Sequence, residues 1–211
     1  MDAPPALSVS MHEAILHLKQ SDPVLANIIE RVGDYRIEFR EPGFQTLVRS
    51  IVYQQLSGKA AYTILKRLLD AVPEGHLTPE AILTLTVDEM RALGLSGQKT
   101  AYIRDLSERT RSGELDFSAF PAMADEDVIA HLTRVKGVGV WTAHMFLIFA
   151  LRRPNVLPTG DLGVRSAIRK AYRLRDLPKP VRIEKIAKRW HPYCSVAAWY
   201  LWRSLDGEAM I

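Results

Sequence analysis

Helix-start signals recur so closely along this chain that it can only be built from short helices, and they leave room for a single strand-like segment. Asp22-Pro23 is an N-cap followed by proline at the first helical position, leading into Val24–Val32. Phe44, Leu47, Val48, Ile51 and Val52 recur at helical spacing, and that segment ends near Leu56-Ser57-Gly58, where Ser57 caps a further helix through Ala60, Ile64, Leu65 and Leu68. Thr78-Pro79 starts another helix. Thr86 with Glu89 forms a capping box closed by Gly94, and Ser96 opens a helix running through Ala101, Ile103 and Leu106 to Gly113. Further helices are expected over Asp125–Arg134, Val140–Leu151 and Leu162–Tyr172, and over Ile183–Leu205 with a break at Pro192. Only Tyr35–Phe39 alternates like a strand, and one strand makes no sheet. The expected fold is therefore all-α, about ten helices in two lobes around a cleft.

Composition narrows the function classes. No apolar run reaches the roughly 18 residues of a membrane helix; the longest, Met145–Leu151, reads as a buried core helix. Met1–Ser8 lacks the basic start and apolar middle of a signal peptide. The net charge of +4 has the sign that suits a phosphate partner but decides little alone. A single cysteine, Cys194, excludes an internal disulfide, a cysteine-rich zinc site and a four-cysteine iron–sulfur cluster. Cys194 itself reads as a small core residue.

The most informative stretch is Leu132-Thr133-Arg134-Val135-Lys136-Gly137-Val138-Gly139-Val140-Trp141-Thr142-Ala143. One helix ends, a Gly-x-Gly turn follows, and the next helix begins at once. Glycines at 137 and 139 let the backbone turn sharply and keep side chains away from an approaching phosphate, whose oxygens are favoured at a helix N-terminus. The plainer reading is an αα-hairpin whose glycines only make the corner. A second element is the loop Leu157-Pro158-Thr159-Gly160-Asp161-Leu162-Gly163-Val164. Taken alone, Asp161 reads as a helix N-cap.

Together the hairpin and the Pro/Gly-Asp loop resemble the helix-hairpin-helix DNA glycosylase superfamily. Arg49-Ser50-Ile51-Val52-Tyr53-Gln54-Gln55-Leu56-Ser57, Trp190-His191-Pro192-Tyr193 and Trp199-Tyr200-Leu201-Trp202 are similar to the 3-methyladenine DNA glycosylase II branch. The resemblance covers about Phe44–Arg203 and is to the compact form, without the additional β-rich N-terminal domain of the bacterial inducible form. It implies one glycosylase domain over 1–211, with one lobe at about 44–151, the hairpin motif at 126–151, and 1–43 with 152–211 forming the other lobe. Lys136 departs from the pattern, which usually has proline before the first hairpin glycine; the turn loses rigidity and gains a cation beside the expected phosphate.

The resemblance implies that Asp161 is the catalytic carboxylate, stabilising the positive charge that grows on the deoxyribose as the base leaves. Capping and catalysis are compatible, since a cap holds the carboxylate still. Where strand-cutting members carry a nucleophilic lysine, this chain has Trp141, which implies a water nucleophile and an intact abasic product. Trp141 and Trp202 align with pocket tryptophans, and Phe44, Tyr53 and Met145 are further pocket candidates; aromatics at helical spacing also serve as core. Trp190 and Trp199 read as packing.

Gln55-Leu56 lies at a helix-to-helix turn and both are candidate DNA contacts; Leu56 aligns with the apolar wedge that fills the gap left by a flipped base, with a buried core leucine as the other reading. Lys136, Gly137, Val138, Gly139 and Thr142 are the expected DNA contacts of the hairpin, and Arg49, Lys99 and Arg165 are candidate phosphate contacts. The carbonyls of Thr133, Val135 and Val138 are an implied Na+ or K+ site; a solvated turn without an ion fits the sequence equally.

The expected partner is double-stranded DNA containing alkylated bases, acted on by a monomer with no cofactor and no membrane contact. The expected compartment is the cytoplasm, at the nucleoid, or the nucleus in a eukaryote. Two alternatives stay open: a glycosylase for ethenoadenine or mismatched bases, and a non-catalytic helix-hairpin-helix DNA-binding module.

Overall fold

The computed structural model describes residues 11–206. The expectation for Met1–Ser8 lies outside them. Among the described residues twelve α-helices run in the order α1 Met11–Ser21, α2 Pro23–Val32, α3 Phe44–Tyr53, α4 Gly58–Asp70, α5 Pro79–Thr84, α6 Val87–Ala92, α7 Gly97–Arg111, α8 Asp125–Leu132, α9 Val140–Phe149, α10 Leu162–Ala171, α11 Pro180–Ala187 and α12 Cys194–Arg203. Short 3-10 turns occupy Pro73–Gly75 and Phe120–Ala122. No strand occurs among the described residues.

The caps form where the local sequence places them. The Asp22 carboxylate accepts from the amides of Val24 (3.0 Å) and Leu25 (3.3 Å), and Ser57, Thr78 and Ser96 each accept from an amide three residues on. Thr86 and Glu89 make the reciprocal box. Each such cap contributes about 1 kcal/mol by satisfying an amide that the helix cannot.

Helix α1 is an addition to the sequence-based expectation. It buries only Ala14 and Leu18 and leaves Leu16 exposed, so its apolar stripe is too narrow to announce itself. Tyr35–Phe39 forms no ladder. Tyr35 packs on Trp199 (ring centroids 4.6 Å apart) and Ile37 faces the same core, so the alternation records packing of an extended segment over helices.

The described residues form two compact units, one up to Phe39 and from Arg152 onward, the other Arg40–Leu151. The first is built around α12, whose residues from Cys194 to Leu201 are all buried, with α2 and α10 packed against it. Each large apolar side chain buried this way contributes roughly 1.5–3 kcal/mol. Cys194 and Trp190 are fully buried there and Trp199 nearly so; burial pushes the Cys194 thiol up to about 12. Asp22 is fully buried as well, and its second carboxylate oxygen accepts from the Trp190 indole at 2.9 Å and from the Tyr172 hydroxyl. A buried charge is tolerable because all these donors converge on it. In the second unit, Leu47, Val48, Ile51 and Val52 of α3 share a core with Ile103 and Leu106 of α7 and Phe146 and Leu147 of α9.

Candidate active site and nucleic-acid interface

In the second unit α8 ends at Leu132 and the chain turns through two short hydrogen bonds, Val135 N to Leu132 O and Val138 N to Val135 O, both 3.1 Å. Gly137 has φ +77°, a conformation that side chains resist, and a β-carbon there would lie 2.1 Å from the Tyr102 ring. Gly139 has φ −98° and caps α9 with no side chain to bond the first-turn amides. A β-carbon at 139 would meet nothing within 4 Å. The two glycines therefore act differently: Gly137 is required by the fold, and Gly139 keeps an open approach to a helix N-terminus.

Val138 and Thr142 have buried side chains, so backbone atoms are what they can present. Lys136 is positioned otherwise than as a free cation. Its amide donates to Asp105 Oδ2 at 2.9 Å, and its ammonium lies 3.4 Å from Asp105 Oδ1 while the side chain stays 68% exposed. Burial raises the Asp105 carboxyl, but the Lys136 amide and the Arg109 guanidinium outweigh it and hold it below its ordinary value. The residue that replaces proline thus supplies an N–H that proline lacks.

Between α3 and α4 the chain makes a tight corner. Gln55 sits at φ +56° and Leu56 is 39% exposed. The Gln54 side-chain amide donates to the Gly137 carbonyl at 2.9 Å, linking corner and hairpin. Lys99 donates its ammonium to the carbonyls of Val52 and Gln54, both at 2.7 Å, and desolvation pulls its pKa below the usual lysine range. Arg49 stacks over Tyr53, 4.3 Å from the ring centroid, and in the first unit Arg165 donates to the Pro178 carbonyl. Sequence reasoning set these three cations out as candidate phosphate contacts; each has a protein partner.

The carboxylate loop belongs to the first unit. Ser195 anchors its approach: its hydroxyl donates to Arg153 O (2.6 Å) and accepts from Val156 N (2.9 Å), and its amide donates to Pro154 O. The loop closes with Asp161 N donating to Pro158 O at 3.0 Å. Asp161 caps α10, with Oδ1 accepting from Val164 N at 2.7 Å. The same oxygen accepts the Trp202 indole N–H at 2.7 Å. Only 8% of Asp161 is exposed. A β-carbon on Gly163 would lie 2.9 Å from Trp202 Cδ1 and 3.1 Å from Asp161 Oδ1, so this glycine admits the indole to the carboxylate. Sequence reasoning named Asp161 and Trp202 separately and missed Gly163 and Ser195.

The other pocket candidates lie in the second unit. Trp141 is 50% exposed in the first turn of α9, with half-buried Met145 one turn on along the same face. Phe44 is buried in the core at the start of α3, and Tyr53 is half-buried at its end. Among the described residues no group of three or more His, Cys, Asp or Glu side chains is arranged to hold a metal ion, and no helix is long and apolar enough to cross a membrane.

Residues 48–192 match the family model described as HhH-GPD superfamily base excision DNA repair protein. The chain is similar to DNA-3-methyladenine glycosylase 1 of Schizosaccharomyces pombe, with 34% identity over 201 residues that cover 92% of this chain and 88% of that protein. Among solved structures it resembles the DNA-3-methyladenine glycosidase of Bacillus halodurans, with a TM-score of 0.84, 34% identity, and coverage of 93% of this chain and 90% of that one. It also resembles the S. pombe 3-methyladenine DNA glycosylase Mag1 in complex with abasic DNA, with a TM-score of 0.80, 35% identity, and coverage of 90% and 95%.

Proposed function

Because the chain belongs to the HhH-GPD superfamily of base excision DNA repair proteins, we propose that it is a monofunctional DNA glycosylase that removes alkylated purines such as 3-methyladenine and 7-methylguanine and leaves an abasic site. The observation that carries the reading is Asp161, a nearly buried carboxylate held at Oδ1 by the Val164 amide and the Trp202 indole.

In the reaction, the bond from C1′ to the purine nitrogen breaks and the electron pair leaves with the base. A purine already carrying a methyl-induced positive charge departs as a neutral molecule and needs no proton. Asp161 stabilises the positive charge left on the sugar and takes a proton from the water that attacks C1′. The bonds from the Val164 amide and the Trp202 indole keep it from rearranging as that charge develops. The ring of Trp202, beside Asp161 in the first unit, suits a cationic base, a contact that contributes about 2 kcal/mol when desolvated; the exposed ring of Trp141 in the second unit is a separate candidate for such a contact. Trp141 offers no amine for imine formation.

The hairpin offers the Gly137 and Gly139 amides to a phosphate, the Lys136 and Val138 amides being engaged by Asp105 and Val135, and Leu56 is the apolar side chain that takes the vacated place in the duplex. The carbonyls of Thr133, Val135 and Val138 are the groups that would hold a monovalent cation there; Val135 O uses one of its two lone pairs on Val138 N. The compartment that follows is one holding chromosomal DNA.

The test is release of free base from duplexes carrying 3-methyladenine, 7-methylguanine, ethenoadenine, or mismatched thymine or uracil. The reading expects the methylated purines to be released fastest. Release of only ethenoadenine or mismatched pyrimidines would replace the substrate class, and binding without release of any base would leave a DNA-binding module.

A further inference from the structure

Lys99, Tyr102 and Asp105 follow one another at intervals of three along α7 and so share one face of it. Each meets a segment read above as DNA-facing. Lys99 bonds the carbonyls of Val52 and Gln54, where α3 gives way to the Gln55-Leu56 corner. The ring of Tyr102 lies where a side chain on Gly137 would be. Asp105 accepts the Lys136 amide, faces the Lys136 ammonium, and is itself clamped by Arg109 at 3.0 Å. Gln54 closes the circuit by bonding the Gly137 carbonyl.

We propose that this face of α7 is a brace, in which Lys99 is a positioning residue that sets the corner carrying Leu56 at a fixed spacing from the phosphate-binding hairpin before DNA arrives. The inference rests on the wedge role of Leu56 given above. Its physical basis is the corner itself. Gln55 holds a left-handed backbone (φ +56°) that a non-glycine residue resists and that persists only where the surroundings over-determine it. The carbonyls on which Lys99 closes are Val52 O, in the last turn of α3, and Gln54 O, at its C-cap, where the helix supplies no amide of its own. Without the ammonium, the α3 terminus can fray and the left-handed residue can relax. Leu56 would then have to be ordered upon binding, at a cost in affinity.

A double-mutant cycle on affinity for a duplex containing an abasic site separates positioning from general stability. Leu56→Ala is expected to weaken that affinity about tenfold, and Lys99→Met, which keeps the stem and removes the charge, by a large part of the same factor. The double variant should bind no worse than Leu56→Ala alone, because a misplaced wedge and a missing wedge are equivalent. Affinity for undamaged duplex, which uses the hairpin, should change less than twofold in Lys99→Met. If Lys99→Met weakens binding by the same factor in both backgrounds, or leaves abasic-site binding unchanged, the brace is overturned while the wedge stands. If Leu56→Ala binds like the wild type, the wedge reading fails and the brace with it. Nuclear magnetic relaxation of the wild-type protein adds a check independent of variants: the Gln55 and Leu56 amides should be as ordered as those of α3, and nanosecond mobility confined to them would overturn the proposal.

Discussion

The indole N–H of Trp202 and the amide of Val164 both donate to Oδ1 of Asp161, each at 2.7 Å. Hydrogen bonds to a charged group contribute about 1.5–3 kcal/mol each, so the indole is a positioning group for the carboxylate as well as a candidate face for the base. Trp202→Phe keeps an aromatic face and loses that bond; single-turnover excision should slow roughly 10- to 100-fold. Asp161→Asn should lose roughly 100- to 1000-fold while still binding damaged duplex. Near wild-type turnover in Asp161→Asn would remove this residue from the chemistry.

The hairpin glycines should separate folding from binding. Gly137→Ala places a side chain at φ +77° and against the Tyr102 ring, and should destabilise the protein by on the order of 1–3 kcal/mol in thermal melts. Gly139→Ala meets open space at an ordinary φ and should melt like the wild type. Its cost should appear in DNA affinity, because the new methyl group stands where a phosphate approaches α9. Equal melting temperatures for the two variants would contradict the geometry.

Excision should proceed without nicking. Strand cleavage needs an amine that can form an imine with the opened sugar, and the position where strand-cutting relatives carry it holds Trp141. Lys136, the cation of the turn, has its ammonium 3.4 Å from the Asp105 carboxylate, a partner that engages it within the second unit. Lesion duplex treated with the protein should run at full length until heated in alkali, and borohydride should trap no adduct. A trapped adduct that disappears in Lys136→Ala would reverse the assignment.

Acid should loosen the hairpin through Asp105. Its folded-state pKa lies below the ordinary value of 3.8, so its contribution to stability is complete above that value and is lost as pH falls through the lowered one. The gap in melting temperature between wild type and Asp105→Asn should be constant near neutrality and close as the pH drops below about 4. A gap that persists unchanged in stronger acid would mean that the carboxylate charge contributes nothing there.

What could be read from the sequence alone has a common physical origin. The helix starts at Asp22, Ser57, Thr78, Thr86 and Ser96, and the cap at Asp161, depend on a side chain reaching an amide two or three residues away, so the local string contains the whole interaction. The Gly-x-Gly turn was equally local, and the family pattern placed Asp161 and Trp202 among the candidates. Tertiary structure decided which groups those residues meet. Trp202 reaches Asp161 across 41 residues, Lys99 reaches α3 across 45 and 47, and Lys136 reaches Asp105 across 31. Cations that look free in a string become caps and clamps once helices pack, because unsatisfied carbonyls and buried carboxylates draw whatever donor the packing brings near. Helix α1 failed to announce itself for a related reason: two buried positions make no sequence period, and its place comes from packing on α2 and α12.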